Sequence, residues 1–79
     1  MMKHEFKIGD QVRLSKTENW RYGSTNVSYY GYYKGEDDKY YFASGCHGRI
    51  SDRSGVKEIP YNRELRKFPK EDFDIRPPR

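Results

Sequence analysis

Apolar and polar positions alternate along this chain in short runs, and no helical spacing of apolar residues persists for eleven residues or more. Clusters of Gly, Ser, Asn and Asp separate the runs, so the pattern predicts an all-β domain of short strands. Phe6 and Ile8 alternate with charge, as do Val12 and Leu14, and Gly9-Asp10 between them marks a turn or bulge. Residues 15–26 are rich in turn formers and are expected to form a long ordered loop that carries Trp20. Ser15 and Glu18 have the spacing of a capping box, yet no apolar helix follows them. A second strand over 27–34 places Val27, Tyr29 and Tyr33 on one face and Tyr30 and Tyr32 on the other.

Gly35 and the acidic knot Glu36-Asp37-Asp38 turn the chain into a return strand over 39–43. Tyr41 and Ala43 share one of its faces, Tyr40 and Phe42 the other, and Ser44-Gly45 closes it. A further strand over 46–50 is weakened by Gly48, the cluster 51–55 is a turn, and an alternating strand over 56–59 ends at Pro60. Asn62 is placed to cap a single helical turn through Leu65. Phe73 and Ile75 alternate with acids in a last short strand, which Pro77-Pro78 stops because neither residue offers an N–H. Five or six short antiparallel strands with a one-turn helix before the last describe a small barrel, whose closure would remove exposed strand edges.

Two segments carry a resemblance. Phe6-Lys7-Ile8-Gly9-Asp10-Gln11-Val12-Arg13-Leu14 resembles the opening strand of many SH3-like barrels, and Ile59-Pro60 through Ile75 resembles their ending, in which a proline turn and an acidic pair precede a closing strand. The resemblance implies an SH3-like β-barrel, an architecture that hosts many unrelated tasks. Its KOW-type members bind RNA or polymerase and its Tudor-like members bind modified tails. The opening strand is also distantly similar to that of type II dihydrofolate reductase, but the Val-Gln-Ile-Tyr segment from which that enzyme builds its pore has no counterpart in Gly55-Val56-Lys57-Glu58-Ile59-Pro60-Tyr61.

Composition then changes the picture in two ways. With 79 residues the chain has room for one small core, so a single domain over 1–79 is expected. Val, Ile and Leu number only nine against thirteen aromatics, eight of them Tyr. Tyrosine must supply the core that the aliphatic residues cannot, because its ring buries large apolar area while its hydroxyl stays wet or hydrogen-bonded. At this size a partner or self-association would add to stability. No apolar stretch approaches the roughly 20 residues that span a bilayer, and no membrane association is expected. The opening of the chain has no basic segment followed by an apolar one, and Cys46 is the single cysteine, so a reducing cytoplasmic setting is the expectation. The sequon Asn26-Val27-Ser28 would matter only in a secreted eukaryotic protein.

The net charge of +4 is unevenly spread. Residues 39–70 hold eight basic groups against three acidic ones, and Arg49, Arg53, Arg63, Arg66, Lys67 and Lys70 form a candidate basic patch. That balance permits a polyanionic partner without demanding one.

Candidate chemistry is sparse. Cys46 and His47 are adjacent, so on a strand their side chains face opposite ways and cannot act as nucleophile and base. One Cys and two His fall short of a metal site, no glycine-rich phosphate loop precedes a helix, and neither catalysis nor a cofactor or metal is expected. The tyrosines are the informative feature, since the second and third strands present them on both faces. One reading is thin coverage or a homo-oligomer. The other is a platform of Tyr30, Tyr32 and Tyr40 with Trp20 and Tyr22, flanked by Arg21, Lys34 and Lys39. Such a surface serves a protein interface or stacks single-stranded nucleic acid. The modest charge and the nearby acidic knot lean toward protein, and small proteins of this composition are associated with phage or mobile-element modulators of host complexes. The expectation is therefore a non-enzymatic module that docks on a protein, with an RNA- or single-stranded-DNA-binding barrel as the alternative.

Overall fold

The computed structural model describes residues 5–78; residues 1–4 and 79 of the expected domain lie outside the described residues. Six antiparallel strands and no helix make up the described chain. They are β1 (Gln11–Trp20), β2 (Gly23–Glu36), β3 (Tyr40–Asp52), β4 (Gly55–Asn62), β5 (Arg66–Pro69) and β6 (Asp74–Arg76). The sheet runs β4-β3-β2-β1-β6, and β5 pairs with β3. β4 and β5 share one edge of β3, with β4 along Cys46–Asp52 and β5 along Tyr40–Ala43. The expected barrel closure is absent among the described residues, because β4 and β6 end the sheet without pairing to each other.

Alternation did its work where one face is buried. Val12, Leu14, Val27, Tyr29, Tyr33, Ala43, Cys46, Phe68 and Phe73 form one buried cluster, and Tyr41 packs against it. Tyr30 and Tyr32 point the other way. β2 is 14 residues long, about 43 Å if straight at about 3.3 Å per residue, more than the molecule's largest principal-axis extent of 38 Å. Irregularities in its pairing with β3 fall between Tyr30 and Tyr32 and between Tyr33 and Gly35. At the first, β3 inserts an extra residue around Gly45, whose φ of +62° favours glycine. That insertion inverts the parity of β3. Ala43 points inward before it, and Cys46 and Ile50 point inward after it.

Five expectations are corrected. Residues 15–26 form no loop: β1 pairs with β2 from Gln11↔Tyr32 to Trp20↔Gly23, and only Arg21-Tyr22 turns the chain. The polar side chains that resembled a loop lie on an exposed hairpin arm, where the ladder supplies the order that apolar burial does not. Residues 6–8 are not a strand; Gly9 N–H donates to Tyr33 O and Tyr33 N–H to Asp10 O, which docks this opening turn beside Tyr33. The two strands expected over 39–50 are one strand that passes through Gly45. Finally, no helical turn follows Asn62. Its Oδ1 accepts from Glu64 N–H at 2.9 Å in a bend, and the chain then re-enters the sheet as β5. Pro60 also fails to end its strand. β4 continues to Asn62 because an edge strand tolerates a missing N–H.

A clasp joins the end of β2 to the turn after β5. Tyr33 Oη donates to Glu36 Oε1 at 2.7 Å and Lys70 Nζ donates to Glu36 Oε2 at 2.6 Å. Burial, followed by the Glu36 hydrogen bond and charge, pushes the Tyr33 phenol up to about 12. The Glu36 hydrogen bond likewise raises Lys70. Both folded groups hold their protons more tightly than the unfolded chain. The stability they contribute is therefore complete below pH 10 and is lost as pH rises toward 12. Urea midpoints are expected to fall steeply across pH 10–12 and to fall less steeply in Tyr33→Phe. An equal slope in the variant would show that other groups carry the alkaline transition.

Candidate binding site

The aromatic positions expected to form one platform separate into three places. Trp20, Arg21 and Tyr22 sit at the β1–β2 hairpin tip, where Trp20 Nε1–H donates to Thr25 Oγ1 at 2.9 Å and Arg53 Nη1–H to Tyr22 O at 3.2 Å. Tyr40 belongs to a hollow with Lys39, Pro69 and Lys70, and Lys67 Nζ lies 5.1 Å from its ring centroid. Lys34 lies exposed on β2. Only Tyr30 and Tyr32 come together. The reason is distance along β3, since Tyr30 pairs with His47 and Tyr32 with Ser44, whereas Tyr40 stands at the start of the strand.

Around Tyr30 and Tyr32 the outer face forms a cleft of about 370 Å³, walled by Tyr30, Tyr32, His47 and Tyr61, with Gly31 and Gly45 between them and Gln11 and Pro78 at its border. The glycine that bends β3 also makes room for the cleft. A Cβ on Gly45 would stand 3.2 Å from the Tyr32 ring and 3.5 Å from the Tyr61 hydroxyl. Tyr30 stacks on His47 at 5.7 Å with 25° between the planes, and Gln11 Nε2–H reaches Tyr32 Oη at 3.4 Å. Tyr32 is 43% exposed and Tyr61 66% exposed. Tyr61 was not expected in the site. Its position just past Pro60 looked like a turn, and the continuation of β4 beside β3 is what brings it over Gly45.

The expected basic patch is not one patch. Arg49 pairs with Glu58 at 3.5 Å, and Arg53 binds the hairpin tip. Arg66 donates to Tyr29 Oη at 3.0 Å with its guanidinium 4.6 Å from that ring's centroid. Lys67 covers Tyr40, and Lys70 holds Glu36. Arg63 is exposed in the bend between β4 and β5. Five of these six residues are therefore engaged within the fold. The acidic knot is engaged too: Asp37 Oδ1 accepts from Lys39 N–H and Tyr40 N–H, and these two bonds hold its carboxyl below the usual range.

Cys46 is buried, and desolvation pushes its thiol up, an effect that nearby Arg66 opposes. His47 faces the opposite side of the sheet on Tyr30, so the neighbours do not meet as a nucleophile and base. Among the described residues no group of three or more His, Cys, Asp and Glu is placed to hold a metal ion, and no helix is long and apolar enough to cross a membrane. Comparison with family models, curated proteins and solved structures finds no match to the chain.

Proposed function

We propose that this protein is a non-enzymatic binding module, built on an open SH3-like sheet, that docks on a partner protein through the cleft of Tyr30, Tyr32 and Tyr61. The observation that carries this reading is the character of the cleft: three tyrosines and a histidine over a glycine floor, with no lysine or arginine among its walls. Exposed tyrosines supply large contact area at small entropic cost and recur as interface anchors. Nucleic-acid binding instead draws most of its affinity from clustered cations that neutralise phosphates, and the expected basic patch is dispersed, with five of its six residues making contacts to other side chains or backbone of the fold. The cytoplasmic setting and the role of a phage-type modulator belong to the same proposal and rest on composition.

The test begins with a partner identified by crosslinking through a photoreactive group at Tyr32 and then purified. The double substitution Tyr32→Ala, Tyr61→Ala is expected to keep the circular dichroism spectrum and to weaken this partner at least about 30-fold, which corresponds to the roughly 2 kcal/mol of an anchor residue. In parallel, binding to a random single-stranded oligonucleotide is measured against salt. Unchanged partner affinity in the double variant, with a log K against log salt slope of several units for the oligonucleotide, would replace this reading with the nucleic-acid one.

A further inference from the structure

We infer that the partner presents an acidic segment, and that its carboxylates are received by Arg13 and Arg76 beside the aromatic cleft; this inference rests on the docking function proposed above. The register makes the juxtaposition. Arg13 of β1 lies opposite Arg76 of β6 on one side and opposite Tyr30 of β2 on the other, and Tyr30 lies opposite His47 of β3. Directly opposed residues share a face, so Arg76, Arg13, Tyr30 and His47 form one line across four strands, with about 4.8 Å between neighbours.

Two observations set this line apart. Like charges directly opposite each other destabilise a sheet, yet Arg13 and Arg76 are cross-strand partners. Asp74, the next residue on that face of β6, forms an ion pair with neither of them; the ion pairs among the described residues are Arg49–Glu58 and Lys70–Glu36. The second observation is Arg13 Nε, which is buried without a hydrogen-bond partner. An unmet buried donor on a charged group is costly, and the repulsion from Arg76 compounds that cost. Among the four arginines of the strands, Arg49 and Arg66 have acceptors within the protein, whereas Arg13 and Arg76 have none among the described residues. A carboxylate received end-on by the two Nη atoms of a guanidinium forms two parallel charge-assisted bonds and would relieve the repulsion between the two arginines, while the buried Arg13 Nε stays out of its reach.

The neighbouring surface selects a peptide rather than a nucleic acid as the source of that charge. The two arginines of this line neutralise about two phosphates, which is too few for firm binding along it at physiological salt. The adjacent line on the same face begins at Asp74 opposite Ser15 and ends at Glu58 opposite Arg49, so a phosphodiester chain with one charge per nucleotide would pass acids. Beyond His47 the surface becomes the uncharged cleft of Tyr32, Tyr61 and Gly45. One or two carboxylates followed closely by an apolar side chain match this sequence of features.

The probes are an end-blocked dodecapeptide containing Glu-Glu-Leu-Tyr in a Gly-Ser background, its Gln-Gln counterpart, and dodecathymidylate. Each is titrated into the full-length protein while the arginine Nε–Hε resonances are followed by NMR. The Glu peptide is expected to shift Arg13 and Arg76 and to bind about tenfold more tightly than the Gln peptide. Arg13→Gln with Arg76→Gln should remove that preference, and Tyr32→Ala should weaken both peptides. Arg13→Leu is expected to raise the melting temperature, because it removes both the unmet donor and the repulsion; a marked fall would overturn the inference by giving the guanidinium a structural role. Equal binding of both peptides that still depends on Tyr32 overturns the inference and leaves the docking function standing. No shift with the Glu peptide at millimolar concentration overturns the inference. Shifts of Arg13 with dodecathymidylate alone overturn both.

Discussion

Gly48→Ala is expected to lower the melting temperature by on the order of 15 °C, the signature of roughly 3 kcal/mol lost from a domain of this size. Gly48 of β3 stands opposite Tyr29 of β2 on the core side of the ladder. A Cβ there would come within 2.2 Å of Ser28 O and 3.2 Å of both Ser28 C and Tyr29 Cα. All three atoms are backbone, so no rotamer change relieves the clash and the two longest strands must part. The strand pair that would open carries Tyr29 and Tyr33 inward and the Tyr30–His47 stack outward. Core and site should therefore fail together. Thermal unfolding followed by circular dichroism checks this, and a loss under about 3 °C would mean that the β2–β3 spacing yields far more easily than a backbone ladder should.

Phe68→Ala should cost about 3–5 kcal/mol, the usual loss when a buried phenyl ring is truncated. Phe68 is 1% exposed and meets Tyr29 and Phe73 edge-on, each with 5.1 Å between ring centroids. It is also what attaches β5, a strand of only four residues, across the core beside β3. A 79-residue domain has about 4–12 kcal/mol of stability in total, so the variant is expected to be largely or wholly unfolded at 37 °C. Phe68→Leu, which retains most of the volume, should lose under about 2 kcal/mol. Urea denaturation of both variants gives the comparison. Equal losses would show that β5 is held by its ladder with β3 rather than by the ring.

The two faces of the tyrosine-rich strands were legible because side chains alternate with period two wherever a strand covers a core. Tyr29 and Tyr33 against Tyr30 and Tyr32 follow from that rule alone. The hairpin arm over 15–26 was not legible, because Ser, Thr and Asn on a strand exposed along its length look the same as in a loop. The segment after Pro60 was hidden for a related reason. Whether proline ends a strand depends on whether a partner needs its N–H, and only the sheet order shows that β4 is an edge. Phe68 lay in a stretch otherwise made of Arg, Lys and Pro, without the alternation that would have marked a strand.

The sequence by itself determined the class of structure and the material of its core: thirteen aromatics against nine aliphatics, distributed with strand periodicity, permit an all-β domain packed around rings. It also determined that Tyr30 and Tyr32 turn away from that core. The tertiary structure decided which of the outward rings meet. Pairing register, set by the bulge at Gly45 and by β4 lying along β3, places Tyr61 with Tyr30 and Tyr32 and leaves Tyr40, Trp20 and Tyr22 elsewhere. It decided the charges in the same way. A net charge of +4 is a sum over the chain, whereas the availability of a cation depends on contacts between residues distant in sequence. Those contacts occupy Arg49, Arg53, Arg66, Lys67 and Lys70 and leave Arg13 facing Arg76.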